Sequence, residues 1–529
     1  VHGSSAVARA PARGAATAPI GYAARELLGG AAPMRRTAAL WLSAVVVGLG
    51  ARGAAHAQPT PAHALLEQAA AAMGGLDRLR ALDNVVLTGF GLYQGQLGGG
   101  DLSPDPRAPH KWQVASDAQR TFDLKGRRAL VQDRRASLFP FAAAANPNRS
   151  QLVQTGVATL DHPLTALLAA LDAATKLGPV TVERGLEVVE LTVDSGPPLK
   201  LAIDPATHLL AWVRWISASA TLGDVTNTAY FTGYLPFDGV ELPTGITTAI
   251  DWRDVTTSEF QVDSYRLNVK NPPPFPAPSG PPPAPPAAES SNVAEGVWDV
   301  RYAGNGGAVI EFSDHLTMFE AYASEAATFA RLDLANTLVP GKRVTEVIVS
   351  HHHFDHSGGL RAAVARGLTV ISRRGNEAIF REMVARPAPN FPDALARNPQ
   401  PLKFVPVDEH LTLDDGTMRV DVYHVLGHLH MAEAVFAYIP ERRIFLEGDF
   451  TTFNWDYNWW GGAYLDNVEH YGLEPAINVP VHGKVTRFDE TVATIEKQVA
   501  AAKKYCATSA RAGVYPAGCP VQYSRDLGR

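Results

Sequence analysis

"SHHHFDHSGG", residues 350–359, holds four histidines among its ten positions. A surface loop has no need of such a cluster, and a core built from it carries a large desolvation cost. The run before it, "RVTEVIVS", reads as a strand that leads straight into His351, His353, Asp355 and His356, spaced H-x-H-x-D-H. Alternate residues of an extended stretch point the same way, so His351 and His353 reach one ion together. Asp355 and His356 follow where the chain bends and can turn to a second position. His352 and Phe354, between them, point away. Three imidazoles and a carboxylate suit zinc, and the same ligand types also serve iron or manganese.

On either side of this stretch, strands and helices alternate. "GGAVIEFS" and "HLTMFEAY" read as strands, "EAATFARLDLANTL" as a helix, "GLRAAVARG" as a second helix and "LTVISRR" as a further strand. Such alternation indicates a layered α/β domain.

The H-x-H-x-D-H run resembles the signature of the metallo-β-lactamase superfamily. The resemblance covers roughly residues 292–500 and implies an αββα sandwich with its site at the edge of two sheets. It also implies three further ligands downstream, in order. The first is a histidine about five residues before a hydrophobic strand. In "GHLHMAEAVFAYIPERRIFLEGDF", His430 stands five before Val435; His428, or His424, is the alternative. The second is Asp449, closing "RIFLEGD" where it would bridge two ions. The third is His482 in "AINVPVHGK". On this pattern His351, His353 and His430 hold one divalent ion and Asp355, His356 and His482 the other, with zinc the expected metal. Asp355 also orients the water. The chain departs from the family at Glu320, where members usually place an aspartate that supports a ligand. The longer glutamate can play that part.

The chemistry so implied is hydrolysis, with a metal-bound hydroxide as nucleophile and a small molecule as substrate. True β-lactamases of this superfamily place cysteine or serine where Asp449 stands. Asp449 at that position resembles lactonases, glyoxalase II-type thioesterases, sulfatases and phosphodiesterases instead, and the expectation is cleavage of a carboxylic ester or lactone. The alternatives are a β-lactam hydrolase, or a binding or carrier protein whose metal domain is vestigial. The aromatic run "FTTFNWDYNWWGGAY", with Trp455, Tyr457, Trp459 and Trp460, either lines an apolar pocket or packs as a loop core.

Further out, "NPPPFPAPSGPPPAPPAAESS", residues 271–291, is a proline-rich spacer. It divides a β-rich region at 58–270 from the hydrolase domain at 292–529. The N-terminal region opens on a helical stretch, "HALLEQAAAAMGGLDRLRAL", broken at Gly74-Gly75. It continues in alternating runs separated by turn residues, which predicts antiparallel hairpins. Its runs "YFTGYLPFDGVELPTGI" and "LAIDPATHLLAWVRW" loosely resemble the curved sheets of LolA-like lipoprotein-carrier domains. No residue set in this half has catalytic spacing.

Residues 1–57 read as leader and signal peptide. Arg35-Arg36 is followed by a thirteen-residue apolar run, Ala38 to Gly50, and by Ala55-His56-Ala57 ahead of Gln58. The run is shorter than the ~20 residues a bilayer span needs. Hence the expectation of a periplasmic or secreted protein without a stable membrane span. In an oxidising compartment Cys506 and Cys519 are expected to pair. The formal charge of −6 over 529 residues, without a long basic run, argues against a nucleic-acid partner. Nothing in the sequence fixes an oligomeric state.

Overall fold

The computed structural model describes residues 60–529 except 95–100, 109, 111, 138–149, 195, 277–283, 452–456, 514–518, 520 and 522–529. The expected signal peptide and Trp455 lie outside the described residues.

The N-terminal region starts with α1 (Pro61–Ala72) and α2 (Leu76–Arg80), separated at Gly74 and Gly75, whose φ angles of 117° and 98° no helix accommodates. Among the described residues eleven strands follow, with α3 (Pro163–Ala170) inserted among them. These are β1 (Asn84–Gln94), β2 (Trp112–Asp123), β3 (Arg128–Ser137), β4 (Ser150–Thr155), β5 (Lys176–Glu183) and β6 (Leu186–Thr192). After them come β7 (Leu199–Ile203), β8 (Leu210–Ser219), β9 (Gly223–Phe237), β10 (Val240–Ile250) and β11 (Thr256–Leu267). They form one antiparallel sheet in the order β4-β3-β2-β1-β11-β10-β9-β8-β7-β6-β5. The first strand pairs with the last, Val85 opposite Leu267. The helices cover one face: Leu66, Ala69 and Leu167 pack with Leu87, Leu201, Val213 and Ile246 in one apolar cluster.

The second region begins with β12 (Glu289–Ala294), which pairs with β13 (Val297–Tyr302), Glu289 opposite Arg301. The last residues expected in the spacer are therefore strand, because their backbone groups find partners in β13. Next come β14 (Asn305–Glu311), β15 (Leu316–Phe319), α4 (Glu325–Leu338), β16 (Val344–Ile348), α5 (Phe354–Ser357), α6 (Leu360–Ala365) and β17 (Thr369–Arg373). They are followed by α7 (Glu377–Ala385), α8 (Ala394–Arg397) and β18 (Lys403–Val407), which completes a seven-stranded sheet among the described residues. A six-stranded sheet comprises β19 (His410–Asp414), β20 (Arg419–His424), β21 (Val435–Ile439), β22 (Ile444–Glu447), β23 (Ile477–Pro480) and β24 (Thr486–Arg487). The helices α9 (Gly461–His470) and α10 (Phe488–Arg511) belong with it.

Side-chain alternation explains why these elements stack in four layers. Ala308, Ile310, Ile348 and Ile371 point between the sheets, where they meet Val420, Val422, Ala437 and Leu446. Their neighbours Val309, Val347 and Val370 face outward onto Leu332 of α4, Ala363 of α6 and Phe380 of α7. On the other side Phe436 and Phe445 face Tyr464 of α9 and Ile495 of α10. The result is helix, sheet, sheet, helix.

Residues 59–529 form a single compact unit. Leu222, Val225, Trp252 and Val255, at the tips of the N-terminal hairpins, belong to the same apolar cluster as Leu360 and Phe380. Arg386 Nη2 bonds Asp251 at 2.8 Å and Arg253 Nε bonds Glu382 at 2.7 Å across the same boundary. No described helix is long and apolar enough to cross a membrane. Cys506 and Cys519 are joined in a disulfide, their Cα atoms 5.6 Å apart.

Candidate metal centre

Strand ends deliver the site. Hydrogen bonds hold the chain after β16 on both sides, Glu320 N–H to the Ile348 carbonyl at 2.8 Å and Val349 N–H to that of Ile371 at 2.9 Å. His351 follows at once. The chain then turns into α5, where the carbonyl of the capping residue, His353, accepts from His356 and Ser357 N–H at 3.0 and 2.8 Å. This helical turn carries Asp355 and His356 away from the line of His351 and His353. The loop before β21 brings His430, the turn after β22 brings Asp449, and the residue pair after β23 brings His482.

All seven residues meet. His351, His353, His430 and Asp449 form one group, and Asp355, His356, Asp449 and His482 a second, each with one ligand atom per residue within 4.8 Å of the others. Asp449 belongs to both. Its Oδ2 lies 2.7 Å from His430 Nε2 and 3.5 Å from His351 Nε2, and its Oδ1 3.1 Å from His356 Nε2 and 3.3 Å from His482 Nε2. The rings of His351, His353, His356 and His430 are buried, and His482 is half-buried on the open side. His428 stands outside both groups; its Nδ1 accepts from the His430 N–H at 3.2 Å. His424 instead faces Glu409 at 3.2 Å.

The second ring nitrogens of three of these histidines are also engaged. His351 Nδ1 lies 2.9 Å from Ser350 Oγ, His356 Nδ1 3.1 Å from Glu320 Oε1, and His482 Nδ1 3.1 Å from Asn305 Oδ1. With a metal held, a proton on each of these nitrogens would leave Nε2 as the lone pair facing it. Glu320 thus supports His356. It manages this at a φ of 76°, with the Arg331 guanidinium donating to its carbonyl at 2.9 Å, to Phe319 O at 2.8 Å and to Val300 O at 3.0 Å. Glu447, fully buried two residues before Asp449, accepts from Phe450 N–H at 2.9 Å and fixes the turn.

The described part of the aromatic run is packing, not an open wall. Trp460 stacks on the His430 ring at 4.9 Å between centroids and 11° between planes, and its Nε1–H donates to the Asp449 carbonyl at 2.7 Å. Trp459 packs with Tyr457 and Tyr505 under the disulfide. Of the supporting residues, Glu320 was legible in the sequence. Asn305 and Ser350 were not singled out, since neither has a spacing signal beyond Ser350's place beside His351.

Electrostatics fit a cation. Burial opposes charge on Asp449, yet the His356 charge and hydrogen bonds from His351, His356 and His430 hold its carboxyl well below the usual range. Burial likewise opposes charge on Asp355, but His356 and His482 bring it down to about 2. His356 is buried too, and Asp449, Asp355 and Glu320 nevertheless pull it well above an ordinary imidazole. Ionised carboxylates converging with imidazole nitrogens in a buried site form a donor set of the kind divalent transition metals take.

A layered α/β domain with two such groups at the ends of its strands defines a metal-dependent hydrolase. Residues 309–466 match the metallo-beta-lactamase superfamily model, so the second region contains a domain of that superfamily. A linear primary-alkylsulfatase from a Pseudomonas species is 37% identical over 73 residues, 14% of this chain and 11% of the sulfatase. The metallo-beta-lactamase from Pontibacter korlensis is 18% identical over 40% of this chain and 98% of its own, with a TM-score of 0.32. That from Hirschia baltica is 17% identical over 40% and 98%, with a TM-score of 0.30.

Proposed function

We propose that the protein is a dinuclear hydrolase that cleaves an ester bond, a carboxylic ester or lactone in the first place. The observation that carries this reading is the shared carboxylate: Asp449 belongs to both groups of converging ligand atoms. His351, His353 and His430 would hold one ion, Asp355, His356 and His482 the other, with Asp449 between them and zinc the metal that best suits the donors. When bound, the ions lower the pKa of water and polarise the bond under attack. The chain's own residues do the rest. Asp355 Oδ2, 3.3 Å from His482 Nε2, sits at the less buried side of the cluster, placed to accept a hydrogen bond from a water and orient it. Trp460, buried and stacked on the His430 ring, covers that ligand on the other side.

Ester chemistry is favoured because an aspartate stands where β-lactamases of this superfamily carry cysteine or serine. The alkylsulfatase match adds sulfate esters to the substrate classes worth assaying. β-Lactam hydrolysis is the second reading, supported by the superfamily of the domain. A carrier with a vestigial metal domain has less support, because drift would be expected to break at least one of seven ligands. The test is a panel of chromogenic carboxylic esters, lactones, alkyl sulfates and cephalosporins, run on purified protein with and without chelator. Chelator-sensitive turnover of an ester is expected, and turnover of cephalosporins alone would select the second reading.

Export belongs to the same proposal. The signal pattern at 34–57 and the Cys506–Cys519 disulfide both support an oxidising compartment outside the cytoplasm. Exported material should begin at Gln58 by intact mass; a secreted species retaining Met34 would contradict it.

A further inference from the structure

One backbone carbonyl reaches the metal centre from the other half of the chain. Asp101 belongs to the segment between β1 and β2, 251 residues before His352. Its carbonyl oxygen lies 2.9 Å from His352 Nε2 and 3.0 Å from His353 Nε2. A carbonyl only accepts, so both rings carry a proton at Nε2. Neutral His353 then has its lone pair on Nδ1, and that atom lies 2.9 Å from His351 Nε2, inside the first ligand group.

The segment is anchored on both sides. His110 Nδ1 lies 2.8 Å from Asp101 Oδ1, and Gln94 Nε2, at the buried end of β1, donates to the same carboxylate oxygen at 3.4 Å. The Leu102 carbonyl accepts from Ala432 N–H at 2.8 Å, two residues past His430. The Pro104 carbonyl accepts from Arg253 Nη1 at 3.1 Å. Arg253 holds Glu382 of α7 through its Nε and Nη2, at 2.7 and 2.8 Å. Beside it the Trp252 ring packs 5.7 Å from that of Phe354, the residue between His353 and Asp355.

We propose that the N-terminal region is a working part of the metal centre, and that Asp101 is a positioning residue whose carbonyl fixes the His353 tautomer and so the affinity of the first group for its ion. This rests on the reading of the seven residues as ligands. It gives the N-terminal region a role in the site for which its sequence carries no catalytic spacing, because a main-chain carbonyl leaves no mark in residue type. Partners that orient a ligating histidine are worth ~10–100-fold in metal affinity.

The test is a zinc titration against a chromogenic chelator on the purified full-length chain, comparing wild type with Asp101→Gly and Asp101→Asn. The glycine variant releases the anchor to His110, whereas the asparagine oxygen accepts from His110 as the carboxylate does. Asp101→Gly should weaken one of two binding steps about 10-fold or more, leave the other unchanged, and keep the thermal transition of the metal-free protein. Asp101→Asn should titrate like wild type, which a general packing defect would not predict. Should the glycine variant fail to fold, His110→Phe, which keeps an aromatic ring but has no nitrogen to hold Asp101, is held to the same criterion. Two unchanged binding steps in the folded variant would overturn the proposal. A wild type that binds no zinc would overturn the ligand reading beneath it, so the two failures are told apart.

Discussion

Which histidine of "GHLHM" serves the cluster is a question of single atoms. His430 Nε2 is 2.7 Å from Asp449, whereas His428 meets the His430 backbone and the rings of Phe450 and Trp460. His430→Ala should therefore cost at least as much metal affinity as losing an orienting partner, ~10–100-fold, while His428→Ala keeps most of it. Chelator competition on both variants checks the ranking, and a reversed order would place the ligand two residues earlier. Glu320→Gln should be milder than either ligand loss, because the amide oxygen can still accept from His356 Nδ1. Glu320→Ala should release one ion about 10-fold or more sooner than wild type, read by the same titration. The seven clustered residues were legible because each has a spacing signal: an alternating run, a fixed distance before a strand, a turn after one. Asn305, Ser350 and Asp101 had none, since what they contribute depends on where the chain returns to.

At the scale of elements, local pattern found some of the pieces, whereas α3, α7, α9 and α10 were not singled out. "EAATFARLDLANTL" forms α4 from Glu325 to Leu338, with Ser324 capping it through a hydrogen bond from Ala327 N–H at 3.2 Å. The N-terminal alternating runs became hairpins in register. The closure of β1 on β11 was not legible, because pairing between distant strands is set by the shared core and not by either strand's own pattern. One element carries a pH prediction. His162, the cap of α3, is fully buried: its Nδ1 accepts from Leu164 N–H at 3.3 Å and its Nε2 lies 3.1 Å from Tyr265 Oη. Burial, helped by the nearby Arg120 charge, drives its pKa down to about 3. The unfolded chain binds a proton near pH 6.5 and the folded one does not. Stability from this group is thus complete above pH 6.5 and falls by roughly 1.4 kcal/mol per pH unit between 6.5 and 3. His162→Asn keeps a capping side chain but no titration, so denaturant melts at about pH 7 and about pH 5 should show a shallower loss than wild type. Equal losses would mean that His162 is not the group responsible.

For the whole molecule, the proline-rich spacer divides two regions in the sequence, and the structure packs them against each other. Trp252 and Val255 of one half share a core with Leu360 and Phe380 of the other, and Arg386 and Arg253 bond across the boundary. A spacer in sequence says nothing about surfaces that meet beyond it. At the far end, the disulfide joins Cys519 to Cys506 of α10 beside Trp459 and Tyr505. Its removal in a Cys506→Ser, Cys519→Ser pair should lower stability by about 2–3 kcal/mol, seen as a lower thermal midpoint, and a midpoint unchanged by the pair would show that the link does not contribute.

The central claim is that two ions sit where the seven side chains meet, and elemental analysis of the purified protein after metal-supplemented expression tests it most directly. Close to two transition-metal ions per chain are expected, falling toward one in Asp355→Ala, because Asp355 belongs only to the second group. A protein that carries no bound metal under those conditions would contradict the account.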